Sequence, residues 1–123
     1  MNPGLLTIAQ PHFYESEEQR FTITAMYTFQ LPLARLPHGL RAVLVCKVTE
    51  SGYPVGYEID AVNLFSGALG LAGLTVASYH GVAEVLAYTG LSVRNRSNPG
   101  NVPVELNMPS FAIKVYAIWP PLT

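Results

Sequence analysis

Hydrophobic and polar positions alternate most strictly across residues 19–31, where Phe21, Ile23, Ala25, Tyr27 and Phe29 interleave with Arg20, Thr22, Thr24, Thr28 and Gln30. A period of two, carried by β-branched and aromatic residues, predicts a half-buried strand, because a helix would scatter the same aromatics around its circumference. Residues 40–48 follow a different pattern. Ala42, Leu44, Cys46 and Val48 point one way and Val43 and Val45 the other, so both faces are apolar, as in a strand covered on two sides. Arg41 and Lys47 share the Val43 face near the strand's ends, where long stems can carry charge out to water. This strand is expected at the centre of the fold.

Shorter strands are expected within 59–65, 74–79, 82–87, 91–96 and 102–106. Val93 is expected to point inward, with Arg94 and Arg96 near solvent. A closing strand over 111–119 places Phe111, Ile113, Val115 and Trp119 on one face and Lys114 and Tyr116 on the other. Glycine, proline and asparagine punctuate the chain at 31–39, 51–57, 66–73, His80-Gly81 and 95–101. No segment pairs a sustained 3.6-residue period with a capping box and a glycine stop. The expectation is an all-β antiparallel sandwich, jelly-roll-like, of about seven or eight short strands over residues 19–123. Residues 1–18 read as an extended N-terminal arm. Its Leu5, Leu6, Ile8, Phe13 and Tyr14 are more apolar than a solvated tail, so they are expected to contact a neighbouring subunit or shell.

Composition narrows the functional classes. Half of the 123 residues are apolar but only 12% are charged, against a usual quarter. Such a chain hides surface in an oligomer as well as in its core; the alternative is a packed monomer with a polar, uncharged surface. A net charge of −1 with no basic cluster argues against nucleic acid or anionic lipid as partner. The N-terminus lacks a signal peptide's basic start and apolar run. Residues 61–83 carry no charge, but Asn63, Ser78, His80 and four glycines make loop and strand the expectation there, not membrane insertion.

The ingredients of catalysis are sparse. His12, His38 and His80 lack ligand spacing, so no metal site is expected, and Cys46 reads as a small core hydrophobe. Glu58 and Asp60 share a strand face, the spacing of a cation site or a glycosidase pair; without a second acidic cluster they are expected to form a solvated rim. No nucleophile elbow or phosphate-binding loop occurs, so no catalytic residue and no cofactor are expected. Asn95-Arg96-Ser97 fits a glycosylation acceptor only by pattern. Tyr53, Tyr57, Tyr79 and Tyr88 lie in or beside loops, and with Pro54, Asn95 and Asn98 they are candidate recognition positions for sugars or protein surfaces. Aromatics at strand ends also simply roof cores.

The run Leu-Val-Cys-Lys-Val-Thr-Glu-Ser-Gly-Tyr-Pro-Val-Gly-Tyr-Glu resembles a segment of the C-terminal tip domains of tailed-bacteriophage fibre proteins. Val45-Cys46-Lys47, Gly52-Tyr53, Val55-Gly56 and Glu58 match that pattern, whereas Tyr57 stands where the family usually has Asp. The order of parts is similar too: His38-Gly39-Leu40 before the run, Thr89 to Arg94 after it, and Phe111, Ala117 and Trp119 in the closing strand. The resemblance covers residues 18–119 and implies a homotrimeric β-sandwich on the virion surface, made in the host cytoplasm and without enzymatic activity. A tip module with an arm in place of a shaft suits a capsid decoration or cement protein docked on the major capsid protein. The alternative is a tail-fibre or baseplate tip that binds a host surface glycan or protein. A third reading, from another class, is a small carbohydrate-acting enzyme using Glu58 and Asp60.

Overall fold

A computed structural model describes residues 13–21, 26–60, 65–66, 74–87, 91–100 and 102–119. The expectations for Leu5, Leu6, Ile8, His12, Tyr88 and the loop at 67–73 lie outside these residues.

Eleven strands run along the described chain: β1 (Phe13–Glu15), β2 (Gln19–Arg20), β3 (Met26–Gln30), β4 (Gly39–Cys46), β5 (Glu58–Asp60), β6 (Phe65–Ser66), β7 (Leu74–Tyr79), β8 (Val82–Ala87), β9 (Leu91–Val93), β10 (Val104–Glu105) and β11 (Phe111–Ile118). A 3-10 turn at Met108–Ser110 precedes β11, and there is no α-helix among the described residues. The largest sheet has the order β1-β11-β4-β5, with β2 also on β11; two three-stranded sheets are ordered β3-β8-β7 and β10-β9-β6. Every pairing is antiparallel. The expected all-β antiparallel sandwich is therefore what forms.

The central position of residues 40–46 also holds. β4 pairs with β11 over eight residues, from Phe111 opposite Cys46 to Ile118 opposite Gly39, and with β5 on its other side. Ala42 to Cys46 are all buried, as a two-sided apolar pattern requires. Val48 is different: it is 57% exposed instead of facing the core. The backbone N–H groups of Lys47 and Val48 both donate to the Ser110 carbonyl, at 2.8 and 3.2 Å, which turns the chain out of the ladder after Cys46.

The alternating run at 19–31 divides between two sheets, since β2 pairs with β11 while β3 pairs with β8. Phe21, Tyr27 and Phe29 still face one core, so the side-chain alternation survives the change of partner. This division, the separate β5 and β6, and the entry of Phe13–Glu15 into the sheet as β1 raise the strand count above the expected seven or eight.

A single apolar core joins the three sheets. Leu44, Ile113 and Val115 come from the largest, Tyr27, Phe29 and Val85 from β3-β8-β7, and Leu91 and Val93 from β10-β9-β6. Each inward position is the alternate residue of its strand, as the pleat demands. Met108 of the 3-10 turn is buried in the same cluster. Trp119, 1% exposed, donates from Nε1 to the Arg35 carbonyl at 2.9 Å and so ties the end of β11 to the proline-bearing connection between β3 and β4. The β7–β8 connection is a two-residue turn with φ of 42° at His80 and 83° at Gly81, the doubly left-handed geometry that matches strand twist.

Candidate functional site

Two loops close one end of the sandwich, and most of the candidate recognition residues lie there. The first leaves β4 and reverses at Ser51-Gly52, with φ of 52° and 84°. Glu50 and Tyr53 exchange backbone hydrogen bonds across it, at 3.1 and 2.8 Å. A side chain at Gly52 would set its Cβ 2.5 Å from the Ser97 backbone nitrogen, so the second loop, 94–100, presses directly on this turn. The Ser51 carbonyl accepts from the backbone N–H groups of Arg96 and Ser97, at 3.0 and 3.2 Å. The Tyr53 hydroxyl donates to the Arg94 carbonyl at 2.8 Å.

Arginine side chains complete the join. Arg96 Nη1 donates to the Gly52 carbonyl at 2.6 Å, and its guanidinium lies 4.9 Å from the centre of the Tyr57 ring, with Nη2 3.3 Å from the Tyr57 hydroxyl. Arg94 Nη1 donates to the Pro99 carbonyl at 2.8 Å. Asn95 Oδ1 accepts from the Ser97 backbone N–H at 2.9 Å, the Asx arrangement that bends the second loop. Beneath the turn, Cys46 Sγ lies 3.1 Å from the Val48 carbonyl and 3.2 Å from the Tyr53 carbonyl. Burial pushes the Cys46 thiol up in pKa, which keeps the proton that such donation needs.

The structure therefore gathers Tyr53, Pro54, Tyr57, Asn95 and Asn98 at one end. Tyr53 and Pro54 are half-buried, with Tyr53 packed on the core, while Tyr57 and Asn98 are exposed. Tyr79, 72% exposed, is not brought to that end. It stands at the β7–β8 turn with its ring 4.1 Å from His80, next to Leu31, whose N–H bonds the Gly81 carbonyl.

A second cluster occupies the outward face of the largest sheet. The register places Glu15, Tyr116 and Arg41 in one cross-strand row and Lys114, Val43 and Asp60 in the next. Lys114 is 6% exposed, and its Nζ reaches Glu15 at 2.6 Å and Glu58 at 2.9 Å. The Tyr116 hydroxyl donates to both Glu58 oxygens, at 2.8 and 2.7 Å, and the Tyr116 ring packs on Val43, Val45 and Ala112. Arg41 and Lys114 each sit 5.0 Å from that ring's centre. Arg41 also pairs with Asp60 at 3.1 Å, and exposed Phe13 stacks on Tyr116 at 6.0 Å.

Glu58 and Asp60 thus stay partly exposed, at 33% and 32%, as a rim would, but they are bound into an ion-pair network as well. Burial would raise the Glu58 carboxyl, but hydrogen bonds from Lys114 and Tyr116 outweigh it and hold Glu58 below the usual carboxylate range. Burial would lower Lys114, yet Glu15 and Glu58 carry it well above the ordinary lysine value. Tyr116 is raised by burial first and by its bond to Glu58 second. Such groups hold their charges fixed at neutral pH. Nothing local to Lys114 or Glu15 marks them as partners; a lysine among the valines of a central sheet is the one sequence signal of a buried pair.

Among the described residues no three His, Cys, Asp or Glu side chains are grouped to hold a metal ion, and no helix is long and apolar enough to cross a membrane. Comparison with models of protein families, with curated proteins and with solved structures finds no match.

Proposed function

We propose that this protein is a non-enzymatic structural component of a bacteriophage virion, a homotrimeric β-sandwich on the particle surface that decorates the capsid. One observation carries the reading: the residues matching the fibre-tip pattern form the scaffold of one loop. Cys46 fastens the turn from below, Lys47 pairs with Glu18 at 2.8 Å, Gly52 admits the second loop and Tyr53 bonds the Arg94 carbonyl. The Gly56 N–H bonds the Cys46 carbonyl at 2.8 Å, and Glu58 anchors Lys114. A motif whose cysteine, lysine, glycines, Tyr53 and Glu58 serve shape is what a structural resemblance calls for. The low charge content supports self-association.

Binding of the purified protein to particles stripped of it, or to empty heads, tests the reading; sedimentation at micromolar concentration tests the trimer. Failure to bind heads, together with a monomeric boundary, would overturn it. A second reading, a fibre or baseplate tip for a host receptor, is favoured by the exposed Tyr57, Arg94 and Arg96 at one end of the sandwich. Binding to host cells with block of infection would put that reading first. Glycoside hydrolysis is disfavoured because its general acid needs a raised pKa, whereas Glu58 is lowered and already engaged. Changing Glu58 and Asp60 to amides is expected to leave particle binding intact.

A further inference from the structure

Arg41, Lys47 and Lys114 each face a carboxylate within 3.1 Å. Arg94 and Arg96 face none among the described residues, although both are exposed. Their guanidiniums are held by neutral groups, the carbonyls of Pro99 and Gly52 and the ring of Tyr57. Of the nearby acids, Glu50 accepts from the Asn107 backbone N–H at 2.7 Å and Glu58 binds Lys114 and Tyr116, while Glu105, exposed on β10 opposite Ser92, forms no ion pair with either arginine. Residues 51–57 carry no charge at all. One end of a chain with net charge −1 thus presents two cations outside any ion pair among the described residues, on loops zipped together by their own backbone.

Guanidinium offers five donors in a rigid fork that matches an oxyanion, and the anchoring bonds use only one or two on each arginine. Because the loops are already fixed, a ligand would not have to order them. Two cations do not make the long basic track that a polyphosphate chain needs. The exposed Tyr57 ring beside them suits a sugar face. We propose that Arg94 and Arg96 bind a carboxylate or phosphate group carried on a saccharide, with Tyr57 walling the site.

Electrophoresis through gels containing polygalacturonate, phosphomannan or neutral dextran tests this. Retardation by one or both acidic polymers and not by dextran is expected, and retardation by only one identifies the oxyanion. R94Q/R96Q should weaken apparent affinity roughly tenfold or more, the loss of charge-assisted bonds. R96K, which keeps charge but loses the fork, should bind more weakly than the unchanged protein. R94Q alone breaks only the bond to Pro99, so it gives a reading even if the double variant misfolds. R20Q removes another exposed charge, from β2, and should behave as the unchanged protein. No retardation, retention by dextran, undiminished binding of folded R94Q/R96Q, or an equal loss in R20Q would each overturn the site. Particle docking is a separate assay, so these outcomes leave the reading above standing.

Discussion

On the outward side of the β1-β11-β4-β5 sheet, Tyr116 packs on Val43, Val45 and Ala112 inside a lattice of Lys114, Arg41, Glu15, Glu58 and Asp60. The outward side of β3-β8-β7 has the same pleat and, among the described residues, no such lattice. Its cross-strand rows run Met26, Leu86 and Thr75, then Thr28, Glu84 and Ala77, then Gln30, Val82 and Tyr79, with one charge among nine residues. Val43 is 1% exposed on the first face, whereas Met26, Leu86 and Tyr79 on the second are 50%, 43% and 72% exposed. Long polar side chains, when mutually paired, can carry an outer face into burial; uncharged ones leave it open.

The contrast breaks most readily at Lys114. Lys114→Ala leaves Glu15 and Glu58 without their shared cation and is expected to cost about 2 kcal/mol in urea unfolding, less than a fully buried pair because Glu15 and Glu58 remain 50% and 33% exposed. Lys114→Met, which restores the stem, should recover part of it. Glu58 sharpens the contrast through pH. Its folded value lies below the ordinary 4.5, so its contribution is fully present above pH 4.5 and is lost as pH falls through the folded value. The stability gap between the unchanged protein and Glu58→Gln should therefore be widest at neutral pH and close in acid, read by thermal melts. The smallest effect belongs to the open face. Leu86→Lys should alter stability by under about 0.5 kcal/mol in dilute solution; a changed sedimentation boundary at unchanged stability would mark this face as where copies meet.

The alternation of residues 26–30, 82–87 and 111–118 was legible because each strand keeps one face on the core throughout. The corner between β2 and β3 was not, since a chain can change ladder partners without disturbing which side chains point inward. The exposure of Val48 was hidden for a related reason: the bonds to Ser110 that end β4 come from more than sixty residues away. The outer-face lattice depends on distances along the chain just as large, with Lys114 and Glu15 separated by 99 positions. The gathering of Tyr53, Tyr57, Asn95 and Asn98 was foreseeable only as loop composition. Nothing local told that Gly52 would lie against Ser97, or that the two arginines would be held without acids.

Trp119 is the only indole in the chain, and it lies sealed against the carbonyl of Arg35. Its fluorescence therefore reports on one specific joint, the docking of the proline-bearing connection onto the end of β11. Loosening at that joint would redden the emission while the strands, followed by circular dichroism, stayed intact. A native optical gauge of this kind separates partial opening from global unfolding without any label.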